Sequence, residues 1–288
     1  MIPTISASKV AGLIGLNRYQ EQGDIMYDLM CRDKAVKERI TKLEEASNRR
    51  PFYKVAEEVL SDTFIKSCIY SGLRACRKTE DVKGALTDVE NAAWTLLNLR
   101  YTQYPMEVRG MLVQEIRGKV AKQRGLKNEN QILNQYEIAH DVKVVERNTK
   151  MLKKDFGTFV LSGRTDGWVA SENRVVDSKD RTRWFPEVPV YDEIQLRVYM
   201  NMIGCPESEL IERFPDGRTR VTKFLNDPEK WDAIQKAIET AVETMNKALV
   251  DEEALKRIVF ANTIEINNGS GVQSSNPTGV SPATGNNP

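Results

Sequence analysis

The chain has 288 residues, 40% of them apolar and 29% charged, which is typical of a globular protein with one large domain or two small ones. The net charge is only +1, so binding to nucleic acid has to rest on local basic clusters rather than on the charge of the whole molecule. The longest apolar runs are too short to span a bilayer, and no basic-then-apolar leader opens the chain. We therefore expect a cytoplasmic or otherwise intracellular protein that is not secreted and does not bind membranes.

A helical block occupies the first part of the chain. Four stretches carry apolar residues at three- and four-residue spacing among charges, namely 24–30, 34–46, 51–70 and 82–99. Most basic residues of this block are expected to lie on solvated helix faces, although several could follow a DNA backbone. These residues are Arg49, Arg50, Lys54, Arg74, Arg77 and Lys78.

A further helix is predicted to begin near Glu129. Ile132, Leu133 and Tyr136 recur at helical spacing, and Glu129 lies one turn before Leu133. The Glu129 carboxylate is therefore expected to project from the inner face of this helix. The simpler interpretation is an ordinary acidic residue near a helix N-terminus, where the helix dipole favours it.

A β-hairpin is predicted next. Residues 158–169 and 174–179 are rich in strand-forming side chains, and the polar residues 171–173 between them indicate a turn. Folding about that turn places Asp166 opposite the region of Asp177.

The hairpin brings two carboxylates and an ammonium group together. Side chains alternate along a strand, so Asp177 and Lys179 share one face. Carboxylates that repel each other are best explained by a cation between them, and hard oxygen ligands suit Mg²⁺ or Mn²⁺. Such an ion would grip a phosphate and activate water, while Lys179 orients or deprotonates that water or neutralises the transition state. The alternative is an exposed ion pair that contributes almost nothing.

Basic and aromatic residues follow this strand. Arg181 and Arg183 precede Trp184 and Phe185, which predicts phosphate-binding cations beside a base-stacking platform. The alternative is a basic loop with an aromatic anchor in the core, because the two kinds of aromatic residue look alike in sequence.

The next helix begins after Pro189 and places Gln195 and Tyr199 one turn apart on the same side. Gln195 could hold the lysine or a DNA phosphate, and the alternative is a packing tyrosine beside a solvated glutamine. Further on, residues 215–217 (Pro-Asp-Gly) predict a hairpin turn, and Asp227 is a candidate N-cap for a long amphipathic helix.

In sequence order, the candidate residues resemble the motifs of the PD-(D/E)XK nuclease superfamily, and most closely those of its YqaJ-type viral recombinase branch, relatives of phage lambda exonuclease. The matching residues are Glu129, Gly163-x-x-Asp166, Asp177-x-Lys179 and Gln195-x-x-x-Tyr199. The segment from Ser8 to Tyr19 also resembles the opening motif of that branch. The resemblance covers residues 4–24 and 118–262.

The resemblance implies an α/β fold with a restriction-endonuclease-like core, in which helices flank a mixed central sheet. It implies metal binding by Asp166 and Asp177, support from Glu129, and a water-assisting Lys179 beside Gln195. Contacts with DNA are expected from further residues, namely Ser8, Arg18, Arg181, Arg183 and Tyr199.

The chain departs from the branch at two positions. Asp177 stands where glutamate is commoner, and Glu193 stands where the first of two glutamines is usual. Neither departure removes a group that catalysis requires, so we expect an active site.

The resemblance also sets the expected domains and function. Residues 1–24 and 118–262 are expected to form the nuclease core, 25–117 a helical insertion and 263–288 a disordered tail rich in Asn, Gly, Ser, Thr and Pro. The implied activity is that of a Mg²⁺-dependent deoxyribonuclease, an exonuclease acting on duplex DNA ends in phage or viral recombination or replication. The implied partners are DNA, a single-strand annealing protein and further copies of the chain. The alternatives are a non-catalytic DNA-binding or assembly protein with the same fold, and an endonuclease of restriction or repair.

The cysteines, the histidine and the missing motifs give little support to an iron–sulfur site, a triad hydrolase or a P-loop ATPase. The cysteines lack CxxC spacing and are expected to be free thiols, since the tight triplet with which some superfamily members hold an iron–sulfur cluster is missing. These residues are Cys31, Cys68, Cys76 and Cys205. The single histidine, His140, is expected to cap helix carbonyls. Without a G-x-S-x-G or a G-x-x-x-x-G-K-[ST] motif, triad hydrolases and P-loop ATPases have little support.

Overall fold

The structure, a computed structural model, describes residues 1–79 and 81–265 and has a mixed α/β architecture. Its helices are α1 (Ala7–Leu13), α2 (Gln22–Met30), α3 (Lys34–Ser47), α4 (Phe52–Ser61), α5 (Thr63–Lys78), α6 (Val82–Arg100), α7 (Met106–His140), α8 (Val190–Ile203), α9 (Pro228–Val250) and α10 (Glu252–Val259). Its strands are β1 (Thr4–Ser6), β2 (Arg49–Pro51), β3 (Val144–Val145), β4 (Leu152–Asp155), β5 (Val160–Gly163), β6 (Gly167–Val169), β7 (Arg174–Asp180), β8 (Glu207–Arg213), β9 (Thr219–Leu225) and β10 (Thr263–Glu265).

A five-stranded sheet forms the centre of the molecule, in the order β3-β6-β7-β8-β9. β7 and β8 run parallel, and the other neighbouring strands are antiparallel. Helix α8 connects the two parallel strands, as a parallel pair requires. The sheet is therefore mixed and is built around a β–α–β unit.

Helices cover both faces of β7, because its two valines point to opposite sides of the sheet. Val175 packs in the main apolar core with residues of α8 and α9. Val176 packs in a separate cluster with Leu133 and Tyr136 of α7. A strand buried on both faces needs this continuous run of apolar side chains. The fold class predicted from the sequence, a mixed sheet flanked by helices, is confirmed.

A smaller sheet lies beside the hairpin, in the order β1-β5-β4. The N-terminal strand β1 runs parallel to β5, with Thr4 paired to Val160. The single strand predicted for residues 158–169 is thus two strands, β5 and β6, which belong to different sheets. Asp166 lies in the gap where the chain passes from one sheet to the other.

A helical unit is formed by α4, α5, α6 and the first half of α7, which share an apolar cluster that includes Leu86 and Ile116. The boundary of this unit differs from the predicted insertion, which began at residue 25. α2 and α3 bury Met30 and Ile40 in the main core instead. Apolar periodicity predicts such helices but not which core they join.

The helix predicted for residues 51–70 is divided at Asp62 into α4 and α5. The Asp62 carboxylate accepts hydrogen bonds from the backbone N–H groups of Phe64 and Ile65, at 2.7 and 3.2 Å. An aspartate that caps a helix in this way marks the start of a new helix within a continuous apolar pattern.

Helix α7 has 35 residues and joins the helical unit to the central sheet. At about 1.5 Å per residue it is roughly 50 Å long. Its first half packs in the helical unit, and Leu133 near its end packs beneath β7. Glu129 therefore lies on an element that is anchored at both ends.

The C-terminal part follows the predicted pattern as far as α9. Gly217, with φ of +80°, forms the turn between β8 and β9, and the Asp227 side chain accepts from Lys230 N at the start of α9. The predicted disordered tail differs at its beginning, because Thr263–Glu265 form β10 and pair with β2. Its remainder, residues 266–288, lies outside the described residues. No helix within the described ranges is long and apolar enough to cross a membrane.

Candidate active site

The β6–β7 hairpin brings the two predicted aspartates together. Gly167 pairs with Val176, so Asp166 lies across from Asp177. Asp166 Oδ2 accepts hydrogen bonds from the backbone N and the side-chain Oγ of Ser178, at 2.7 and 3.0 Å. These bonds fix the carboxylate against β7, and the juxtaposition expected from the turn and the strand pattern is present.

Two glycines let the segment between β5 and β6 pack closely. A Cβ atom at Gly167 would lie 2.1 Å from Val144 Cγ1, and one at Gly163 would lie 2.9 Å from Tyr199 Cε1. The Tyr199 hydroxyl donates to the carbonyl oxygen of Arg164 at 2.6 Å. Tyr199, expected to contact DNA, is instead a buried residue that fixes this segment.

Asp177 and Lys179 form an ion pair on one face of β7. The distance between Lys179 Nζ and Asp177 Oδ2 is 2.6 Å, and the Asp177 side chain is only 2% exposed. Gln195 Nε2 donates to Asp177 Oδ1 at 3.3 Å. Gln195 therefore holds the aspartate of the pair rather than the lysine.

Burial and crowding perturb the pKa of each group in this cluster. The pKa of Asp177 is raised to about 7, chiefly by burial and next by the charge of Asp166. Burial is also the main reason why the pKa of Asp166 is raised, and Glu129 adds to that rise while Lys179 opposes it. Burial alone would lower the pKa of Lys179, but Asp177, Asp192 and Asp166 outweigh it and hold that pKa above its ordinary value. In this arrangement the ammonium is therefore charged and serves Asp177 as a counter-charge and hydrogen-bond donor.

Glu129 lies on α7 and faces the hairpin across a cleft. The side-chain amide of Asn148 donates to its carboxylate, and burial is the main reason why its pKa is raised. Glu129, Asp166 and Lys179 line this cleft of about 370 Å³, together with Lys122 of α7. Glu129, Asp166 and Lys179 thus converge on one concave site.

The donor atoms of the cleft suit a hard divalent cation in kind, since they are carboxylate oxygens. Within residues 1–79 and 81–265, however, no group of three or more Asp, Glu, His or Cys side chains is arranged to hold a metal ion. Lys179 supplies the counter-charge for Asp177 instead. An ion bound by both Asp166 and Asp177 would require Lys179 to move away from Asp177.

Arg181 is buried in a network of carboxylates. Its Nε donates to Glu212 Oε1 and its Nη2 to Asp192 Oδ2, each at 2.8 Å. Glu212 also pairs with Arg220 at 2.6 Å, and Asp192 Oδ1 lies 4.0 Å from Lys179 Nζ. Arg181 thus holds Asp192 beside the lysine and also lines the cleft, and its contact with a DNA phosphate stays a prediction.

A second network ties the end of β7 to α7. Asp180 Oδ2 lies 2.5 Å from Arg124 Nη1 and accepts from Asn128 Nδ2 at 2.7 Å, and Asp180 Oδ1 pairs with Arg213 at 3.1 Å. Neither network is predicted from the sequence above. The burial of Arg124 in the Asp180 network could have been predicted, because Arg124 falls on the apolar stripe of α7 four residues after Val120.

Arg18 and Arg183 are exposed cations at the junction of the N-terminal segment and the loop after β7. Both guanidinium groups donate to the Tyr19 hydroxyl at 2.8 Å. The Tyr19 ring packs edge-on against Tyr191, with centroids 5.9 Å apart. Ser8, also predicted to contact DNA, is exposed on α1.

The two aromatic residues after β7 have separate surroundings. Trp184 is 47% exposed and packs against Phe214, with ring centroids 4.3 Å apart. Phe185 lines the cleft, and the guanidinium of Arg183 lies 4.9 Å from its ring centroid. Trp184 thus packs on the turn between β8 and β9, and Phe185 is the aromatic residue that lines the cleft.

The four cysteines form no disulfide within the described residues, and three of them belong to one or other of the two cores. Cys31 and Cys205 pack with the main core, and Cys76 belongs to the helical unit. His140, in the last turn of α7, stacks obliquely on Tyr136, with ring centroids 4.6 Å apart. The site described above therefore rests on carboxylates, lysine and glutamine.

No family model and no curated protein matches the chain. Similar solved structures are those of a phage-related exonuclease from Haemophilus somnus 129PT and of an alkaline exonuclease from Laribacter hongkongensis, the latter also solved in complex with dAMP. The first is 16% identical over 46% of this chain and 73% of its own, with a TM-score of 0.38. The second is 17% identical over 49% of this chain and 75% of its own, with a TM-score of 0.39. The roles described above for individual residues are based on the geometry of this chain and not on these similar structures.

Proposed function

We propose that the chain is a metal-dependent deoxyribonuclease that hydrolyses phosphodiester bonds at the ends of duplex DNA. The observation that carries this proposal is the convergence of Asp166, Asp177 and Lys179 at one hairpin, beside a cleft with Glu129 on its opposite wall. Asp166 and Asp177 are both buried carboxylates with a raised pKa, and the charge of Asp166 contributes to the rise at Asp177. A divalent cation between them would compensate this repulsion.

Mg²⁺, or Mn²⁺ in its place, would supply a Lewis acid for the phosphate and a water of lowered pKa. Asp166 and Asp177 are the proposed ligands, with Glu129 as a further or outer contact. Gln195 keeps the Asp177 carboxylate oriented through its 3.3 Å hydrogen bond. Lys179, released from Asp177, would donate to a phosphate oxygen and orient the attacking water.

DNA would approach from the side of the exposed cations. Arg18 and Arg183 would pair with phosphates, and Phe185 offers a ring on which a base can stack at the cleft. The motif resemblance alone adds four further parts to this proposal. They are a preference for duplex ends, a role in phage-type recombination or replication, an annealing partner and homo-oligomers.

A second candidate is a DNA-binding protein without hydrolytic activity. The 2.6 Å ion pair between Lys179 and Asp177 favours it, because the lysine already supplies the charge that a metal would bring. The two candidates differ in whether a divalent cation displaces this lysine.

The test is degradation of linear and of closed-circular duplex DNA in Mg²⁺ and, separately, in Mn²⁺. Wild type is compared with Lys179→Ala and with Lys153→Ala, an exposed lysine of β4 that serves as the matched control. Loss of linear DNA alone, abolished by Lys179→Ala and not by the control, supports an end-dependent nuclease. Cleavage of circular DNA would point to an endonuclease, and no cleavage with either ion would leave the DNA-binding candidate.

A further inference from the structure

We propose that a pocket between α5 and α7 is a second binding site for the phosphate backbone of DNA, separate from the candidate active site. This basic pocket has a volume of about 420 Å³ and is lined by Tyr70, Leu73, Arg74, Arg77 and Lys127. The inference rests on the proposed function, because it takes DNA as the ligand.

The elements that form the basic pocket carry positive charge without acidic neighbours in sequence. α5 contains no Asp or Glu, and neither do residues 117–128 of α7. The cations of these two stretches are Lys66, Arg74, Arg77, Lys78, Arg117, Lys119, Lys122, Arg124 and Lys127. Arg117 and Arg124 are paired with Glu90 and Asp180. In a chain with a net charge of only +1, the remaining cations are the kind of cluster that attracts a polyanion.

The cations of the basic pocket lack the partners that neighbouring arginines have. Three arginines of β2 and the helical unit pair with carboxylates, namely Arg50 with Glu58 at 2.8 Å, Arg100 with Asp62 at 3.4 Å and Arg117 with Glu90 at 2.6 Å. Within the described ranges, Arg74, Arg77 and Lys127 make no ion pair or side-chain hydrogen bond. Three converging cations without a counter-charge repel one another, and an anion between them would remove that repulsion.

Tyr70 adds an aromatic surface to this site. It lies one helical turn before Arg74 and two turns before Arg77, so all three project from the same face of α5. The ring is 68% exposed. An exposed ring beside unpaired guanidinium groups suits a nucleotide chain, which offers both phosphates and flat bases.

The basic pocket and the active-site cleft lie on either side of the same part of α7. Lys127 lines the pocket and Glu129 lines the cleft, two residues or about 3 Å further along the helix axis. Gly125 also lines the cleft, and a Cβ atom added there would meet nothing within 4 Å. A DNA strand that crosses α7 at this glycine can reach both sites, so a longer DNA gains a contact that a short fragment lacks.

The experiment is a titration of a labelled long duplex of about 30 base pairs and of a labelled dinucleotide, roughly 7 Å long, in EDTA at several salt concentrations. Wild type is compared with Arg74→Glu/Arg77→Glu and with Lys42→Glu/Lys236→Glu, two exposed cations on α3 and α9 that give the same change of charge. The pocket variant should bind the long duplex at least about tenfold more weakly than the control. Its log–log salt slope should fall by about 2, since each lost phosphate contact removes about 0.9.

The dinucleotide is too short to cross α7 from the cleft to the basic pocket, so it should bind the pocket variant and the control within about twofold of each other. Nucleotide release at saturating DNA should be unchanged in the pocket variant. Equal affinity of the pocket variant and the control for the long duplex would overturn the inference. Tight binding of free dAMP by wild type, lost in the pocket variant, would overturn it in favour of a mononucleotide site. Long-duplex binding with no nucleotide release by wild type would instead refute only the proposed nuclease activity.

Discussion

Lys179 and Asp177 stand two residues apart on β7, and the lysine ammonium lies 2.6 Å from a carboxylate that is almost fully buried. Each residue makes the other tolerable in this position, because either charge alone would be costly to bury. A divalent cation bound to Asp177 would compete with this lysine for the carboxylate. Competition between lysine and metal for one carboxylate is therefore the property on which the proposed activity depends.

The first prediction concerns pH. Because the pKa of Asp177 is raised from its ordinary value to about 7, the folded protein holds this proton more tightly than the unfolded chain does. The resulting stability is complete below the unfolded pKa, near 4, and is lost as pH rises through about 7. In EDTA, the thermal midpoint of wild type should fall more steeply between about pH 5 and pH 8 than that of Asp177→Asn, which cannot ionise. Parallel profiles of the two proteins would show that this carboxyl is not perturbed.

The second prediction concerns metal binding without turnover. An ion that binds only the folded state at about 100 times its dissociation constant stabilises it by about 2.7 kcal/mol. Mg²⁺ or Mn²⁺ should therefore raise the thermal midpoint of wild type, and Asp166→Asn should abolish most of that rise. Asp88→Asn, an exposed aspartate of α6, is the matched control and should keep it. An equal rise in all three proteins would place the ion elsewhere.

The third prediction separates two arginines that look alike in sequence. Arg181→Ala leaves Asp192 and Glu212 buried without this partner, which should cost about 3–5 kcal/mol of unfolding free energy. Arg183→Ala removes an exposed side chain and should change stability by less than about 0.5 kcal/mol. Urea unfolding measures both values. The order should be reversed for DNA affinity. Among folded proteins, Arg183→Ala should bind DNA more weakly than Arg181→Ala.

The fourth prediction concerns Tyr199, which donates to the carbonyl oxygen of Arg164 at 2.6 Å. Tyr199→Phe removes this hydrogen bond and should lower stability by about 1 kcal/mol, with DNA affinity unchanged. Denaturation and DNA titration on the same samples check both points. Weaker DNA binding at unchanged stability would restore the contact role expected from the sequence.

The part of the site that sequence alone predicts is the part that local rules determine. Asp166, Asp177 and Lys179 lie on one short hairpin, where the turn and the alternation of side chains fix which groups meet. The valines at 175 and 176 likewise indicate a strand covered on both faces. The periodicity of side chains in the sequence therefore predicts the central hairpin and the helices around it.

The remainder depends on partners that are distant in sequence. Arg181 meets Glu212 from a strand 31 residues later, so its burial is invisible in the local pattern, which shows only a basic residue near other basic residues. The strand predicted for residues 158–169 changes sheets at Asp166, because β5 pairs with the N-terminal β1 rather than continuing into β6. The break at Asp62 and the docking of α2 and α3 on the main core are further cases in which tertiary contacts decide.

The most direct test of the account is release of nucleotides from end-labelled linear duplex DNA in Mg²⁺ by wild type, Asp166→Asn and Asp177→Asn, with DNA affinity measured in the same samples. The account predicts that both variants bind DNA within a few-fold of wild type and that release falls by at least about 100-fold, as expected for loss of a group that acts in the transition state. Release at the wild-type rate by either variant would contradict the claim that these two carboxylates form the catalytic centre.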